Sequence, residues 1–322
     1  MVSRQDLESA AEIVYRSMAP TPQYAWPLLA EELGAEIWVK HENHTPIGAF
    51  KVRGGLNHVH RILNEGPDIA GIISATRGNH GQSLAFAARA AGISCVIVVP
   101  LGNSREKNAA MKALGAELIE HGSDFDEARM HAAGLAEARG LRMVPSFHSD
   151  LVAGVGTYAM ELFTACPDLD TVYAPIGLGS GICGILSARD ALGLKTEVVG
   201  VVSELGDAYA KSFKARKVVA TNSADTFADG MAVRVPDPAA LEQILAGAAR
   251  IVRVSETDIA EAMRIYYRCT HSIAEGAGAA GLAAAKAETA SHRGKKVGVI
   301  LSGQNIDREL YSQVLAGGTP GT

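Results

Sequence analysis

Ala49-Phe50-Lys51-Val52-Arg53-Gly54-Gly55 places a lysine where a polar loop gives way to a helical pattern over 50–63, just after the apolar run Glu36-Ile37-Trp38-Val39-Lys40. Beside Phe50 and small residues, an ammonium loses solvation and meets the positive end of a helix dipole. Both effects lower its pKa and suit a nucleophilic amine. Taken alone, the same lysine can simply open a surface helix. Three further loops bear on it. Thr76-Arg77-Gly78-Asn79-His80-Gly81-Gln82 lies between an apolar run and an alanine-rich helical stretch over 81–91. Its amides and the Thr76 hydroxyl can hold a carboxylate, and Asn79 can hydrogen-bond a ligand oxygen, although a turn with an asparagine cap has the same residues. Pro175-Ile176-Gly177-Leu178-Gly179-Ser180-Gly181 follows the apolar run 171–175. Its alternating glycines let successive N–H groups converge on an anion, and phosphate is the natural occupant. A dinucleotide reading of the same spacing is disfavoured, because Glu197, about 20 residues on, begins a strand pattern instead of ending one. Finally, Ser302 in Leu301-Ser302-Gly303-Gln304-Asn305-Ile306-Asp307 either sets a hydroxyl into the same cleft or caps a helix.

These loops need elements to hold them, and the chain supplies an alternation. Strand patterns at 36–40, 71–74, 94–100, 117–119, 171–175, 197–202, 249–254 and 296–301 are mostly separated by helical patterns, among them 104–114 and 123–138. Ahead of them, 3–17 reads as a helix capped by Ser3 and Asp6, and 26–33 as one stopped by Gly34. Strands spaced by such helices imply right-handed βαβ units and an α/β fold with ligands at the carboxyl ends of the strands. Two subdomains are expected, each a mostly parallel twisted sheet flanked by helices. A small one spans 49–147, and a large one is made of 1–48 plus 148–322. Gly154-Val155-Gly156-Thr157, with Glu161 a turn later, reads equally as a helix start or a ligand-facing loop. Glu275, before Gly276-Ala277-Gly278, faces the cleft or caps a helix.

Composition excludes several classes. With 322 residues, 48% of them hydrophobic and 20% charged, the chain can bury a large core. A net charge of -5 and the lack of a basic stripe speak against nucleic acid. No apolar run approaches a membrane span, and the polar N-terminus MVSRQDLESA is not a signal peptide. Four scattered cysteines without metal spacing fit reduced thiols in the cytoplasm.

The four loops, in order and at compatible spacing, resemble the pyridoxal-phosphate enzymes of fold type II, the tryptophan synthase β-like architecture, in the serine/threonine dehydratase and serine racemase branch. Thr226-Phe227-Ala228-Asp229-Gly230 and Glu275-Gly276-Ala277-Gly278 match further family segments. The resemblance implies pyridoxal 5'-phosphate bound in the large subdomain. Lys51, beside Phe50, would hold it covalently and then act as base at the substrate Cα. Asn79 would hydrogen-bond the ring hydroxyl. Gly177, Leu178, Gly179, Ser180 and Gly181 would bind the phosphate, and Ser302 would face the pyridine nitrogen. Thr76, Arg77, Gly78, His80 and Gln82 would form the substrate side. The implied reaction is loss of water from a 3-hydroxy L-amino acid, giving a 2-oxo acid and ammonia. The chain stops soon after the last motif, so a catabolic, non-allosteric homodimer acting on a small amino acid is expected.

Three departures from the family pattern matter. Arg77 stands where a small residue is usual and where serine would resemble the second base of a racemase. A protonated arginine is a poor base, and facing the cleft it would recognise an acidic or oxygenated β-substituent. Val202 and Ala208 occupy the carboxylate positions of a divalent-metal site found in many relatives, with Glu204 and Asp207 displaced, so no metal is expected there. Leu178 and Ser180 interrupt a run of four glycines. Threonine, serine, 3-hydroxyaspartate and phenylserine all remain open as substrates. Serine racemization, β-replacement and a non-catalytic phosphate- or nucleotide-binding role stand as alternatives.

Overall fold

The computed structural model describes residues 2–66 and 68–321. Ten strands form two sheets. Gln23–Ala25 (β1), Glu36–His41 (β2), Thr171–Pro175 (β7), Glu197–Ser203 (β8), Arg250–Val254 (β9) and Lys296–Leu301 (β10) make the larger one, in the order β1-β2-β10-β7-β8-β9. Ile72–Ala75 (β3), Cys95–Val99 (β4), Glu117–Glu120 (β5) and Arg142–Met143 (β6) make the smaller one, in the order β5-β4-β3-β6. Among the described residues every strand pairing is parallel except that of β1 with β2, which is antiparallel across the intervening helix Pro27–Leu33. The central runs have the composition this demands, since β3 and β4 are buried along their whole length, as strands covered on both faces must be.

Sequence patterning finds eight of the strands and misses β1 and β6. Both are too short to show a period: three residues in β1 and two in β6. The capped N-terminal helix runs Arg4–Val14, with Ser3 and Asp6 closing a reciprocal capping box, and Gly34 ends Pro27–Leu33 in the left-handed region.

The segment Gly154–Thr157 is neither a helix start nor a loop. It lies inside the helix Ser149–Ala165, and its glycines serve packing. A Cβ on Gly154 would lie 2.3 Å from the Arg53 carbonyl oxygen of the helix Lys51–Glu65. Likewise, a Cβ on Gly184, in the helix Ser180–Ala191, would lie 2.9 Å from the Gly156 nitrogen. Three helices therefore cross at backbone distance, and two of them begin at the lysine loop and the glycine loop. An internal ion network secures the first. Arg53, fully enclosed, donates to Glu42 at 2.7 Å and Glu161 at 2.6 Å, and Lys40 reaches Glu161 at 2.5 Å. Two cations face two carboxylates, so neither sign is buried unpaired.

Candidate active site

The carboxyl ends of both sheets open onto one cavity of about 620 Å3. The loop after β10 lies directly against the lysine loop. The Phe50 N–H donates to the Ser302 carbonyl at 3.0 Å and the Gln304 N–H to the Gly48 carbonyl at 2.9 Å, with Ala49 and Gly303 bridged as a short antiparallel ladder. Backbone hydrogen bonds thus fix where Lys51 begins its helix. Its amine donates to the Ser180 hydroxyl at 3.0 Å and sits 5.1 Å from the centre of the Phe50 ring, which packs edge-on against Tyr158. Burial of the amine lowers its pKa from the ordinary 10.5 to about 8.

The glycine loop is shaped by exclusion. A Cβ on Gly177 would lie 2.3 Å from the Gly230 carbonyl oxygen, and Gly179 has φ 105° with Ala240 2.7 Å from its own missing Cβ. The Leu178 carbonyl is tied to the Tyr209 hydroxyl at 2.9 Å. The amides thereby gather at the N-terminus of the helix Ser180–Ala191, a ready anion cradle.

On the other wall, Asn79 opens the helix Asn79–Ala91, two residues before the sequence pattern places its start. Its Nδ2 donates to Glu275 at 2.6 Å, and its Oδ1 accepts from Asn305 at 2.8 Å, so both amide ends are fixed and one N–H remains for a ligand. Glu275 therefore faces the cleft, and its side chain makes no cap on the helix Gly276–Ala287. Burial raises its carboxyl pKa, against the pull of Lys107, whose ammonium reaches Asp229 at 2.6 Å and Glu275 at 3.4 Å.

Of the residues singled out in the sequence, Phe50, Lys51, Thr76, Arg77, Gly78, Asn79, His80, Gly177, Leu178, Gly179, Ser180, Gly181 and Ser302 all line this cavity. Gln82 does not. It lies a helical turn deeper than Asn79 and is 2% exposed, enclosed behind the loop. The Thr76 hydroxyl accepts the Gly78 N–H at 3.1 Å, and Arg77 is exposed at the rim with no ion pair among the described residues. His80 is held neutral, since burial depresses its pKa to about 3. Lys107, Asp229 and Asn305 were missed as site residues. Asp229 and Asn305 carry only the signal of lying in family segments, and Lys107 carries none, because nothing local marks a lysine in an ordinary helix as a cleft residue.

Val202 and Ala208 are packed in the core, Glu204 is exposed, and Asp207 pairs with Lys211 at 2.8 Å and Arg253 at 3.3 Å. That loop presents no converging carboxylates. A buried amine beside an anion cradle, with an amide and the enclosed Ser302 hydroxyl across the cavity, fits a phosphorylated aldehyde cofactor in both chemistry and room.

Known proteins agree with this fit. A family model described as pyridoxal-phosphate dependent enzyme matches residues 14–303. An L-threonine ammonia-lyase of Thermotoga maritima is 32% identical over 98% of this chain and 78% of its own. An L-threo-3-hydroxyaspartate ammonia-lyase of a Pseudomonas species is 31% identical over 98% of this chain and 99% of its own. The structure of maize serine racemase superposes with a TM-score of 0.91 at 25% identity, covering 98% of this chain and 97% of that one. By sequence and by architecture the chain belongs to the pyridoxal-phosphate dependent enzymes of fold type II, in the branch of the ammonia-lyases and serine racemases.

Proposed function

We propose that the protein is a dehydratase of 3-hydroxy L-amino acids, of the threonine and serine type. Water is lost across Cα and Cβ, water then enters at Cα, and a 2-oxo acid and ammonia leave. The observation that carries this reading is the Lys51 amine, depressed to about 8 and seated against Ser180 at the mouth of the anion cradle. Pyridoxal phosphate supplies an aldehyde that condenses with amines and a conjugated ring that accepts the electrons of the broken Cα–H bond. We assign the cradle 177–181 to the phosphate, Asn79 to the ring hydroxyl and Ser302 to the ring nitrogen. A neutral hydroxyl at that nitrogen supports a cationic ring less than a carboxylate would, which favours prompt loss of a β-leaving group. With the cofactor bound, Lys51 would take the Cα proton and hold it at Nζ. The Thr76–His80 loop takes the substrate carboxylate at its amides, with the neutral His80 behind it.

A second substrate reading has its own support. Arg77 brings an unpaired guanidinium to the rim where a racemase base would stand, so it suits a substrate with an acidic β-substituent such as 3-hydroxyaspartate. We take 49–147 as a small domain inserted in a large one of 1–48 plus 148–322, and expect a homodimer. The four cysteines, all buried and unpaired, suit a reducing compartment such as the cytoplasm.

The test is a panel of threonine, serine, threo-3-hydroxyaspartate and phenylserine, assayed for 2-oxo acid with wild type, Lys51→Ala and Arg77→Ser. Wild type is expected to release 2-oxo acid and ammonia from at least one member, and Lys51→Ala to lose both this activity and the visible band of the lysine-bound cofactor. Interconversion of serine enantiomers without 2-oxo acid would overturn the dehydratase reading. Loss of activity in Arg77→Ser on hydroxyaspartate alone would select the acidic substrate.

A further inference from the structure

An amide can donate to a ring hydroxyl in only one of its two orientations, because a flip puts oxygen where the nitrogen stood. For Asn79, two neighbours decide the orientation. Glu275, 3% exposed, takes one of the two N–H groups of Nδ2 on its Oε1 at 2.6 Å. On the other end, Asn305 Nδ2 donates to Asn79 Oδ1 at 2.8 Å. The Asn305 amide is itself turned, since the same Nδ2 donates to the Ile47 carbonyl at 2.8 Å. An ionised carboxylate only accepts and the Asn305 nitrogen only donates. A flipped Asn79 would therefore set oxygen against oxygen at Glu275 and nitrogen against nitrogen at Asn305, losing a hydrogen bond at each end.

The surroundings make room for this chain of side chains. A Cβ on Gly303 would lie 2.3 Å from Glu275 Oε1, and one on Gly48 would lie 2.8 Å from Asn305 Oδ1. The Glu275 N–H donates to the Gly303 carbonyl at 3.0 Å, which ties the residue to the loop that carries Ser302. Four groups face the Glu275 carboxyl: Asn79, Lys107, Asp229 and the Gly303 backbone. Among them only the Lys107 ammonium, 3.4 Å from Oε2, brings positive charge, and it favours the ionised form that accepts from Asn79. Asn305 does not line the cavity, so its side chain serves the cleft through Asn79.

We propose that Glu275 and Asn305 are positioning residues, the acceptor and the donor that together hold the second Asn79 N–H toward the ring hydroxyl of the cofactor. The inference rests on the assignment of Asn79 to that hydroxyl, and it is independent of which 3-hydroxy amino acid the enzyme takes.

The test compares pyridoxal 5'-phosphate with 3-deoxypyridoxal 5'-phosphate, which keeps the aldehyde and the phosphate and lacks the ring hydroxyl. Equilibrium dialysis against the full-length apoprotein at pH 8 gives both dissociation constants, and the readout is their ratio. A generally loosened fold weakens both ligands together and leaves the ratio where it was. Wild type is expected to prefer the natural cofactor about tenfold, the value of one well-made hydrogen bond. Asn79→Ala should bring the ratio near one. Glu275→Met, of similar length and with Lys107 still paired to Asp229, should cut it at least threefold, as should Asn305→Leu. Removing the Glu275 charge would by itself favour an ionised ring hydroxyl and raise the ratio, so the direction of the change separates positioning from plain electrostatics. A wild-type ratio near one, or a ratio that Asn79→Ala leaves in place, would overturn the ring-hydroxyl assignment and the inference with it. A ratio that falls in Asn79→Ala but holds or rises in Glu275→Met and Asn305→Leu would overturn the inference alone, and a ratio that falls in only one of these two would remove the other residue from the role.

Discussion

Lys51 owes its chemistry to enclosure. Burial brings its amine from 10.5 down to about 8, so near neutral pH a useful fraction is unprotonated, whereas a solvated lysine would hold almost none. The sign follows directly: below the depressed pKa the amine is an ammonium and cannot add to an aldehyde, and above it the nucleophile is fully formed. Cofactor loading of the apoenzyme, followed by its visible absorbance, should therefore accelerate with rising pH and level off a little above pH 8. A rate still climbing as the pH approaches 10.5 would show that the amine is not depressed. This lysine and the cradle at 177–181 are legible in the sequence because their chemistry is local: a strand end, glycines and a helix start within a few residues. Lys107 and Asp229 are illegible for the opposite reason. Lys107 meets Asp229 and Glu275, and Glu275 meets Asn79, only through tertiary folding, across sequence separations no periodicity reports.

At the scale of elements, apolar runs reveal the strands, but the purpose of a glycine inside a helix depends on what crosses it. Gly154 and Gly156 read equally as a helix start or a ligand-facing loop in the sequence and prove to be the contact points of three helices. Intrinsic propensity would rate Gly154→Ala as a stabilising change by about 1 kcal/mol, since alanine is the better helix former. The crossing reverses that sign. The added Cβ would lie 2.3 Å from the Arg53 carbonyl oxygen, and backbone on both sides must give. Overpacking of this kind costs about 1–3 kcal/mol, and the strain falls beside the Arg53–Glu42–Glu161 network that sets the start of the Lys51 helix. Urea unfolding of Gly154→Ala should show a lowered midpoint with an unchanged slope, and weaker cofactor retention. A raised midpoint would mean that the crossing is looser than the backbone distances indicate. Gly134, with open space around its missing Cβ, is the control that should follow propensity instead.

For the whole molecule, the two sheets are joined across the cleft by charged pairs of unequal weight. Arg234 reaches Asp126 and, at 3.6 Å, Asp124, but all three side chains are close to half exposed, and such solvated pairs contribute about 0–1 kcal/mol. Lys107 differs. It and Glu275 are almost wholly buried, and the lysine is what holds the Glu275 carboxyl down against burial and against Asp229. Deleting the cation in Lys107→Met leaves buried Glu275 without its partner, so the group must hold its proton, a loss that grows by up to about 1.4 kcal/mol for each pH unit above 7. The pH dependence identifies the cause. Glu275 already has its pKa raised from 4.5 to about 7, and removing Lys107 takes away the pull that lowers it. Through that window the folded state of the variant holds a proton that the unfolded state has released, so its stability falls as pH rises from about 4.5 past 7. The variant should accordingly be closest to wild type in stability near pH 5 and furthest below it near pH 8. Adding Glu275→Gln, which cannot ionise, should flatten the profile even though Asn79 loses a charged acceptor. A Lys107→Met protein equally destabilised at both pH values, with no response to Glu275→Gln, would assign the loss to packing of the lysine stem over Gly78 and not to the charge it neutralises.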